Sequence, residues 1–262
     1  MSAPHWPRSR WQDGGAQAFW LWFVFGDFAP DLRIDAQRYR TGTPPAGVEA
    51  VRYRNAALAQ WPGYPLAGSL GAILAEDDPS LLDAARQAGE CWLLRGSVPD
   101  PADLDGLRGL IGTIAALCDQ GGVAVVDPQM LSLFGAAQWQ QRYFARDAFQ
   151  ARDHVLILAD ADPDDATRMR VHTRGLRKFA RPDLDIRNVP AALVNHAGEL
   201  AQGFVEFQCD GGVIADGHVV ELGDDGAQLV ARLAPDMADA DFNNRHLTLR
   251  WPDPAASAPR LG

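Results

Sequence analysis

The residues best suited to chemistry lie in a basic segment between positions 168 and 187. If residues 168–174 form a strand, alternate side chains share one face, so a histidine and several arginines would line the same side. Seven Lys or Arg residues and two Asp residues give the segment a charge of +5, whereas the whole chain carries −10. The candidate ligand-binding or partner-binding residues are Arg168, Arg170, His172, Arg174, Arg177, Lys178 and Arg181.

Two chemical roles fit this basic face. If it is desolvated, its cations would bind a carboxylate or a phosphate, and each charged hydrogen bond would contribute roughly 1.5–3 kcal/mol. If it is exposed, it would be the solvated face of an antiparallel sheet, with arginines paired to the surplus acids at little net gain. Whether this face binds a ligand or a protein partner, Arg170→Ala combined with Arg174→Ala should leave folding intact, and unfolding of that variant would show that these arginines are structural.

Residues 172–184, with the sequence HTRGLRKFARPDL, carry a resemblance to a known family. They resemble a His-Thr-x-Gly-Leu-x-x-Phe-Gly-x-Pro-Asp/Glu-Leu segment found in an uncharacterised family of bacterial domains. The similarity covers the C-terminal half of the chain, and Ala180 stands where the family segment has Gly. The resemblance implies a bacterial α+β protein and implies no reaction.

Other motifs lack a part that their chemistry needs. Ser69 lies in Ala-Gly-Ser-Leu-Gly, which differs from the nucleophile elbow in its first residue and follows prolines rather than a strand. The acidic run that begins at Asp160 lacks the sixth-position Gly and the twelfth-position Glu of a calcium loop. His196 and Glu199 form a lone pair three residues apart. We therefore predict no catalytic residue, no metal site and no cofactor.

Composition narrows the class of protein. The 262 residues are 47% hydrophobic and 22% charged, as in ordinary globular proteins. A pI near 5.0 argues against general nucleic-acid binding, which requires a basic face. Three widely spaced cysteines predict no disulfide framework and favour the reducing cytoplasm. The longest apolar run, residues 19–25, is too short to cross a membrane, and a signal peptide is not expected.

Apolar periodicity and turn residues predict strands that alternate with helices. Asp-Pro pairs at 78–79 and 100–101 are typical of helix starts. The predicted strands comprise residues 19–25, 71–75, 91–94, 122–126, 154–158, 168–174, 184–188 and 246–251. The predicted helices comprise residues 78–88, 104–118, 137–149 and 190–207, with Asp-Gly turns at 216–217 and 225–226.

These elements predict an α+β protein with mixed or antiparallel sheets and packed helices. Residues 16–251 would form a single compact domain between two loose tails, 1–15 and 252–262. Two pseudo-repeated halves, 16–150 and 151–251, are an alternative organisation.

An internal echo supports the two halves. A Val-Pro pair at 98–99 and another at 189–190 each precede a helix that ends in Cys-Asp and then Gly-Gly. Duplication would explain the echo, and so would the small set of residues that helix-to-strand connections use.

Three function classes remain open. The first is a non-enzymatic cytoplasmic bacterial protein-binding module, of toxin-neutralising (immunity-like) or regulatory type. Its acidic surface, −15 outside the basic segment, would steer a basic protein partner. The second is an enzyme or sensor that binds a small anionic ligand around His172 and Arg174, and the third is a structural or assembly component. Neither nucleic acid nor a membrane is expected as a partner.

The shape of the surface around His172 discriminates the first two classes. A concave pocket that contains His172 and a second titratable group would favour the enzyme or sensor, whereas a flat or convex acidic patch would favour the protein-binding module. We place the protein-binding module first, because an enzyme needs a nucleophile or base and a stabilising group in one place, and the sequence offers only fragments of such a set.

Overall fold

Five strands of the N-terminal half form an antiparallel sheet in the computed structural model, which describes residues 5–222 and 227–252. These strands are β1 (Gln17–Gly26), β2 (Val48–Arg54), β3 (Glu90–Pro99), β4 (Gly122–Asp127) and β5 (Ser132–Gly135). Their order is β2-β3-β1-β4-β5. Alternation along β1 directs Trp20 and Trp22 to one face and Phe23 and Phe25 to the other, so both faces need covering.

Helices cover both faces of this first sheet. They are α1 (Asn55–Ala59), α2 (Gly68–Asp77), α3 (Pro79–Gln87), α4 (Asp105–Asp119) and α5 (Ala136–Trp139), which continues as a π-helical turn over Gln140–Phe144. The first three pack on Phe23 and Phe25, whereas α4 and α5 pack on Trp20 and Trp22. The Asp78 side chain accepts a hydrogen bond from Leu81 N at 2.9 Å and so caps α3, as the sequence predicts.

The C-terminal half forms a mixed sheet and a separate hairpin. Its strands are β6 (Leu156–Ala161), β7 (Met169–Arg174), β8 (Asp183–Val189), β9 (Val219–Leu222), β10 (Ala227–Val230), β11 (Arg232–Ala234) and β12 (His246–Arg250). The sheet order is β11-β12-β8-β7-β6, with β12 parallel to β8 and the other pairs antiparallel. Helix α6 (Val194–Cys209) packs on one face. The predicted α+β class, with antiparallel and mixed sheets, is confirmed.

Three local predictions are wrong. Residues 71–75 lie in α2 and not in a strand, and Leu74 is buried while Ile73 is 40% exposed, which is helical spacing. The Asp-Pro pair at 100–101 does not cap α4, which begins after Leu104. The N-terminal tail is not loose over residues 5–14, since Trp6 and Arg8 are buried.

The internal echo is only partly a structural repeat. Helices α4 and α6 both end before a glycine with positive φ, +114° at Gly121 and +102° at Gly211, which allows the chain to leave the helix sharply. After α4 the chain enters β4 directly, but residues 213–218 after α6 form no strand. The predicted turn at 216–217 is present, whereas the one at 225–226 lies outside the described residues. Within the described part of the chain, every helix falls short of the length and apolar character needed to cross a membrane.

Candidate functional site

One face of the second sheet is polar and buried. Strand β7 alternates as predicted, so Arg170, His172 and Arg174 share the face opposite α6, beside Asp183 and Asp185 of β8. The three β7 side chains are only 5–6% exposed. The prediction of a shared face is therefore confirmed, and the prediction that this face projects into solvent is wrong.

The other candidate residues do not complete an open basic surface. Arg168 is half-buried and lies before β7, outside the strand. Arg177 is half-buried, stacks over the Phe19 ring at 4.4 Å and donates to Asn243 O at 2.9 Å. Lys178 and Arg181 are 0% and 2% exposed. An anion-binding surface built from all seven residues is therefore not present.

Arg170 already has two carboxylate partners. Its Nε donates to Asp185 Oδ1 at 2.5 Å and one terminal nitrogen donates to Asp241 Oδ2 at 2.7 Å. These contacts hold the 239–244 loop against the sheet, where the Phe242 ring stacks on His246 at 4.1 Å. Because removing one partner from a buried ion pair is destabilising, replacement of Arg170 together with Arg174 should weaken folding, contrary to the expectation from sequence.

Lys178 and Arg181 connect the two sheets instead of facing a ligand. Lys178 Nζ donates to Asp127 Oδ2 at the end of β4, at 2.5 Å, and to His154 O at 3.1 Å. Arg181 pairs with Asp100, which follows β3. Gly175 makes this turn feasible, because it has a φ of +116° and a Cβ there would lie 2.6 Å from His154 O.

Arg174 differs from the other buried cations. Its terminal nitrogen donates to the backbone carbonyls of Ala240 and Asp241, and its Nε has no hydrogen-bond partner among residues 5–222 and 227–252. Of the buried cations in those ranges, it is the one without an ion pair. Burial accordingly lowers the pKa of Arg174.

A cleft between the two halves opens onto Arg174 and His172. Its cavity of about 460 Å3 is bounded by the polar face of the second sheet, by the 239–244 loop, by α2 and by the turn after β4. We call it the inter-sheet cleft. Its lining comprises Ser69, Leu70, Ile73, Pro128, Leu131, Leu158, Asp160, Arg170, His172, Arg174, Ala240, Asp241 and Asn243.

His172 is the titratable group at the centre of this cleft. Burial and the neighbouring Arg170 lower its pKa, so the imidazole is neutral at physiological pH. Its Nδ1 is buried, lies 3.6 Å from Asp160 Oδ2 and has no hydrogen-bond partner among the described residues. A neutral imidazole can donate or accept through this atom, depending on its tautomer.

A second polar side chain in this region, that of Gln129, belongs to no motif identified in the sequence. Gln129 follows β4, where the Asp127 carboxylate accepts a hydrogen bond from its backbone N–H at 3.0 Å. Both atoms of its side-chain amide are buried without a partner in the described chain. Gln129 lines a pocket of about 240 Å3 that adjoins the inter-sheet cleft, because both include Pro128, Arg174 and Asn243. We call it the Gln129 pocket.

The remaining motifs show no assembled site. Ser69 is exposed in the first turn of α2 and lines the inter-sheet cleft, but irregular chain and not a strand precedes it. Asp162, in the acidic run, accepts hydrogen bonds from the backbone N–H groups of Asp164 and Asn188. His196 and Glu199 form an exposed pair at 3.9 Å. All three cysteines are free and buried, and burial raises their pKa values.

A larger cavity lies elsewhere. It measures about 950 Å3 between the 36–45 segment and α4, and its charged residues are paired, Arg40 with Asp147 and Arg108 with Asp105. His5, Asp103 and Asp105 cluster at the start of α4, where the His5 Nδ1 lies 2.8 Å from an Asp105 oxygen. Neither place combines burial with an unpaired charge, so the inter-sheet cleft is the stronger candidate.

Buried histidines make stability depend on pH. Burial, helped by Lys178, holds the pKa of His154 well below its ordinary value, and burial also lowers the pKa of His172 and His246. Below about pH 6.5 the unfolded chain binds protons that the folded chain does not, so stability falls as the pH falls. Asp183 acts oppositely, because burial raises its pKa to about 6 and its ionisation between about pH 4 and 6 disfavours the fold.

Replacing His154 with Phe should flatten this pH dependence between pH 6.5 and 5. The ring packs between Phe149 and Tyr143, a site that suits another aromatic side chain. Because Phe takes up no proton on unfolding, the slope of the free energy of unfolding against pH should fall by up to about 1.4 kcal/mol per pH unit. Urea unfolding at several pH values measures this slope. Asp183 is present in both proteins, so its contribution cancels in the comparison. An unchanged slope in His154→Phe would contradict the assignment of His154 as a group that takes up a proton on unfolding.

No protein-family model, no curated protein and no solved structure matches this chain, so the assignment of the site rests on its geometry.

Proposed function

We propose that the protein binds a small anionic ligand in the inter-sheet cleft, as an enzyme or a sensor, and that Arg174 is its main recognition residue. One observation carries this proposal: Arg174 is a buried cation that lines the cleft and forms no ion pair with the described residues. Burying a charge is unfavourable unless the charge is paired. An anion in the cleft would supply the missing partner.

His172 supports the same ligand position. It is adjacent to Arg174 on the same face of β7 and lines the cleft, and its Nδ1 is a second buried polar atom without a partner among the described residues. The pocket is concave and holds titratable groups besides His172, namely Asp160 and Asp241. This shape favours an enzyme or a sensor over a module that uses a flat acidic patch.

Thermal unfolding with acetate, succinate and inorganic phosphate tests the proposal. A ligand at 100 times its Kd raises the free energy of unfolding by about 2.7 kcal/mol, so at least one of these anions should stabilise the wild type. Arg174→Met should lose that stabilisation, and Arg174→Lys, which keeps the charge without the Nε donor, should retain part of it. Arg152→Met is the matched control, because Arg152 is exposed and lines neither the cleft nor the Gln129 pocket. Stabilisation equal in all variants, or absent with all three anions, would contradict the proposal.

The distribution of charge favours a second candidate, a basic protein partner of the toxin-neutralising or regulatory kind. Five cations and six acids are buried among the described residues, so −9 of the net −10 lies on the rest of the chain. Charge of one sign spread over a surface accelerates association with a partner of opposite sign, most strongly at low salt. Because it identifies no contact surface, this candidate stands second.

A further inference from the structure

The Gln129 side chain adds a constraint that the anion alone does not meet. Its amide offers one donor group, at Nε2, and one acceptor, at Oε1. Both atoms are buried, and neither has a partner within the described chain. The backbone hydrogen bond from Gln129 N to Asp127 holds the residue at this turn, where it lines the Gln129 pocket.

A simple carboxylate cannot pair both amide atoms. A carboxylate presents acceptors only, so it could accept from Nε2 but would leave Oε1 without a donor. A buried polar group without a partner is disfavoured. The ligand that fits must therefore carry a donor in addition to its negative charge.

The surroundings of Gln129 limit the size and polarity of this ligand. Phe19, Leu21 and Phe242 form apolar walls of the Gln129 pocket, which has a volume of about 240 Å3 and is also lined by Arg177, Asp183 and Asn243. That is roughly the volume of eight water molecules in the liquid, enough for a group of amino-acid size. Arg174 lines both this pocket and the inter-sheet cleft, so a short molecule could contact Arg174 and Gln129 together.

We propose that the ligand is a small carboxylate that also carries an amide, of the N-acylated amino acid class. Its carboxylate pairs with Arg174, its amide N–H donates to Gln129 Oε1, and its apolar part packs on Phe19 and Leu21. This inference rests on the proposed function, because it requires the anion to bind at Arg174.

Two acids of matched shape test the inference by isothermal titration calorimetry. N-acetylglycine has the amide, whereas 4-oxopentanoate keeps the carbonyl and the carboxylate but has CH2 in place of N–H. The wild type should bind N-acetylglycine about tenfold more tightly, the effect of one hydrogen bond to a buried acceptor. The methyl ester of N-acetylglycine, which lacks the charge, should bind at least tenfold more weakly than the acid.

Gln129→Leu should remove the difference between the two acids, whereas Gln87→Leu, which changes an exposed glutamine of α3, should preserve it. Gln129→Leu should also melt no lower than the wild type, because it removes an amide without partners. Equal affinity of the wild type for both acids would overturn the amide assignment and leave the anion site standing. Failure of both acids to bind would overturn the N-acylated ligand, while the acetate, succinate and phosphate series decides the proposed function separately.

Discussion

Replacing Lys178 with Met is expected to lower the free energy of unfolding by about 3–5 kcal/mol, because it leaves a buried carboxylate without its cation. Lys178 Nζ is 2.5 Å from Asp127 Oδ2, and the two residues are 0% and 2% exposed. Asp127 also accepts a hydrogen bond from Trp22 Nε1 at 3.1 Å, so the lost charge lies within the core of the first sheet. For a chain of this size the melting temperature should fall by roughly 10 °C.

A double-mutant cycle separates the ion pair from the loss of the side chain. Asp127→Asn keeps the oxygen that accepts from the backbone N–H groups of Gln129 and Met130. Combined with Lys178→Met, it removes both charges, and the two substitutions together should be less destabilising than their sum by about 1–3 kcal/mol. Urea unfolding of the four proteins gives this coupling. Additive effects, or a Lys178→Met protein as stable as the wild type, would show that the pair contributes nothing to holding the sheets together.

The sequence predicts an element well where its apolar periodicity extends over many residues or where its capping residue lies next to it in the chain. Helices α4 and α6 and most strands of both sheets follow from apolar spacing, and the Asp78 cap of α3 follows from an Asp-Pro pair. The error at residues 71–75 has a physical reason. A five-residue apolar run satisfies both the helical and the strand period, so only the buried position of Leu74 and the exposed position of Ile73 decide between them.

For the basic segment, the prediction of a shared face is confirmed, whereas the prediction that this face projects into solvent is wrong. Alternation places Arg170, His172 and Arg174 on one face, but it does not tell which face the rest of the chain covers. The covering loop lies about 70 residues further along, at Asp241, and the partner of Lys178 lies 51 residues earlier, at Asp127. Such long-range pairing leaves no local pattern in a single sequence.

Other site features were out of reach for the same reason. Gln129 is a lone glutamine in a turn, and nothing in its neighbours indicates that its amide is buried without a partner among the described residues. Ala180 has a φ of +57°, a conformation that Gly adopts without strain, and no local pattern predicts it for an alanine.

Asp100→Asn should lower the free energy of unfolding by a similar amount, about 3–5 kcal/mol, because the Asp100 carboxylate pairs with two buried arginines. Asp100 Oδ1 accepts from Arg8 at 2.8 Å, Oδ2 accepts from Arg181, and the backbone N–H of Gly14 donates to Oδ2 at 3.0 Å. Burial lowers the pKa of Arg8, and the proximity of Arg181 lowers it further. Without the negative charge, two guanidinium groups would repel each other in the protein interior.

The same substitution should release the N-terminal segment, because Arg8 and Arg181 anchor residues 8–14 against both halves of the fold. Arg8 donates to the carbonyls of Pro101 and Cys209, and Arg181 donates to that of Gln12. Trypsin should therefore cleave Asp100→Asn after Arg8 or Arg10 sooner than the wild type, while urea unfolding reports the loss of stability. Glu49→Gln is the control, because its ion pair with Arg95 is about half exposed and should contribute less than about 1 kcal/mol. If Asp100→Asn behaved like Glu49→Gln in both measurements, the buried arginine pair would not be what joins the N-terminal segment to the two sheets.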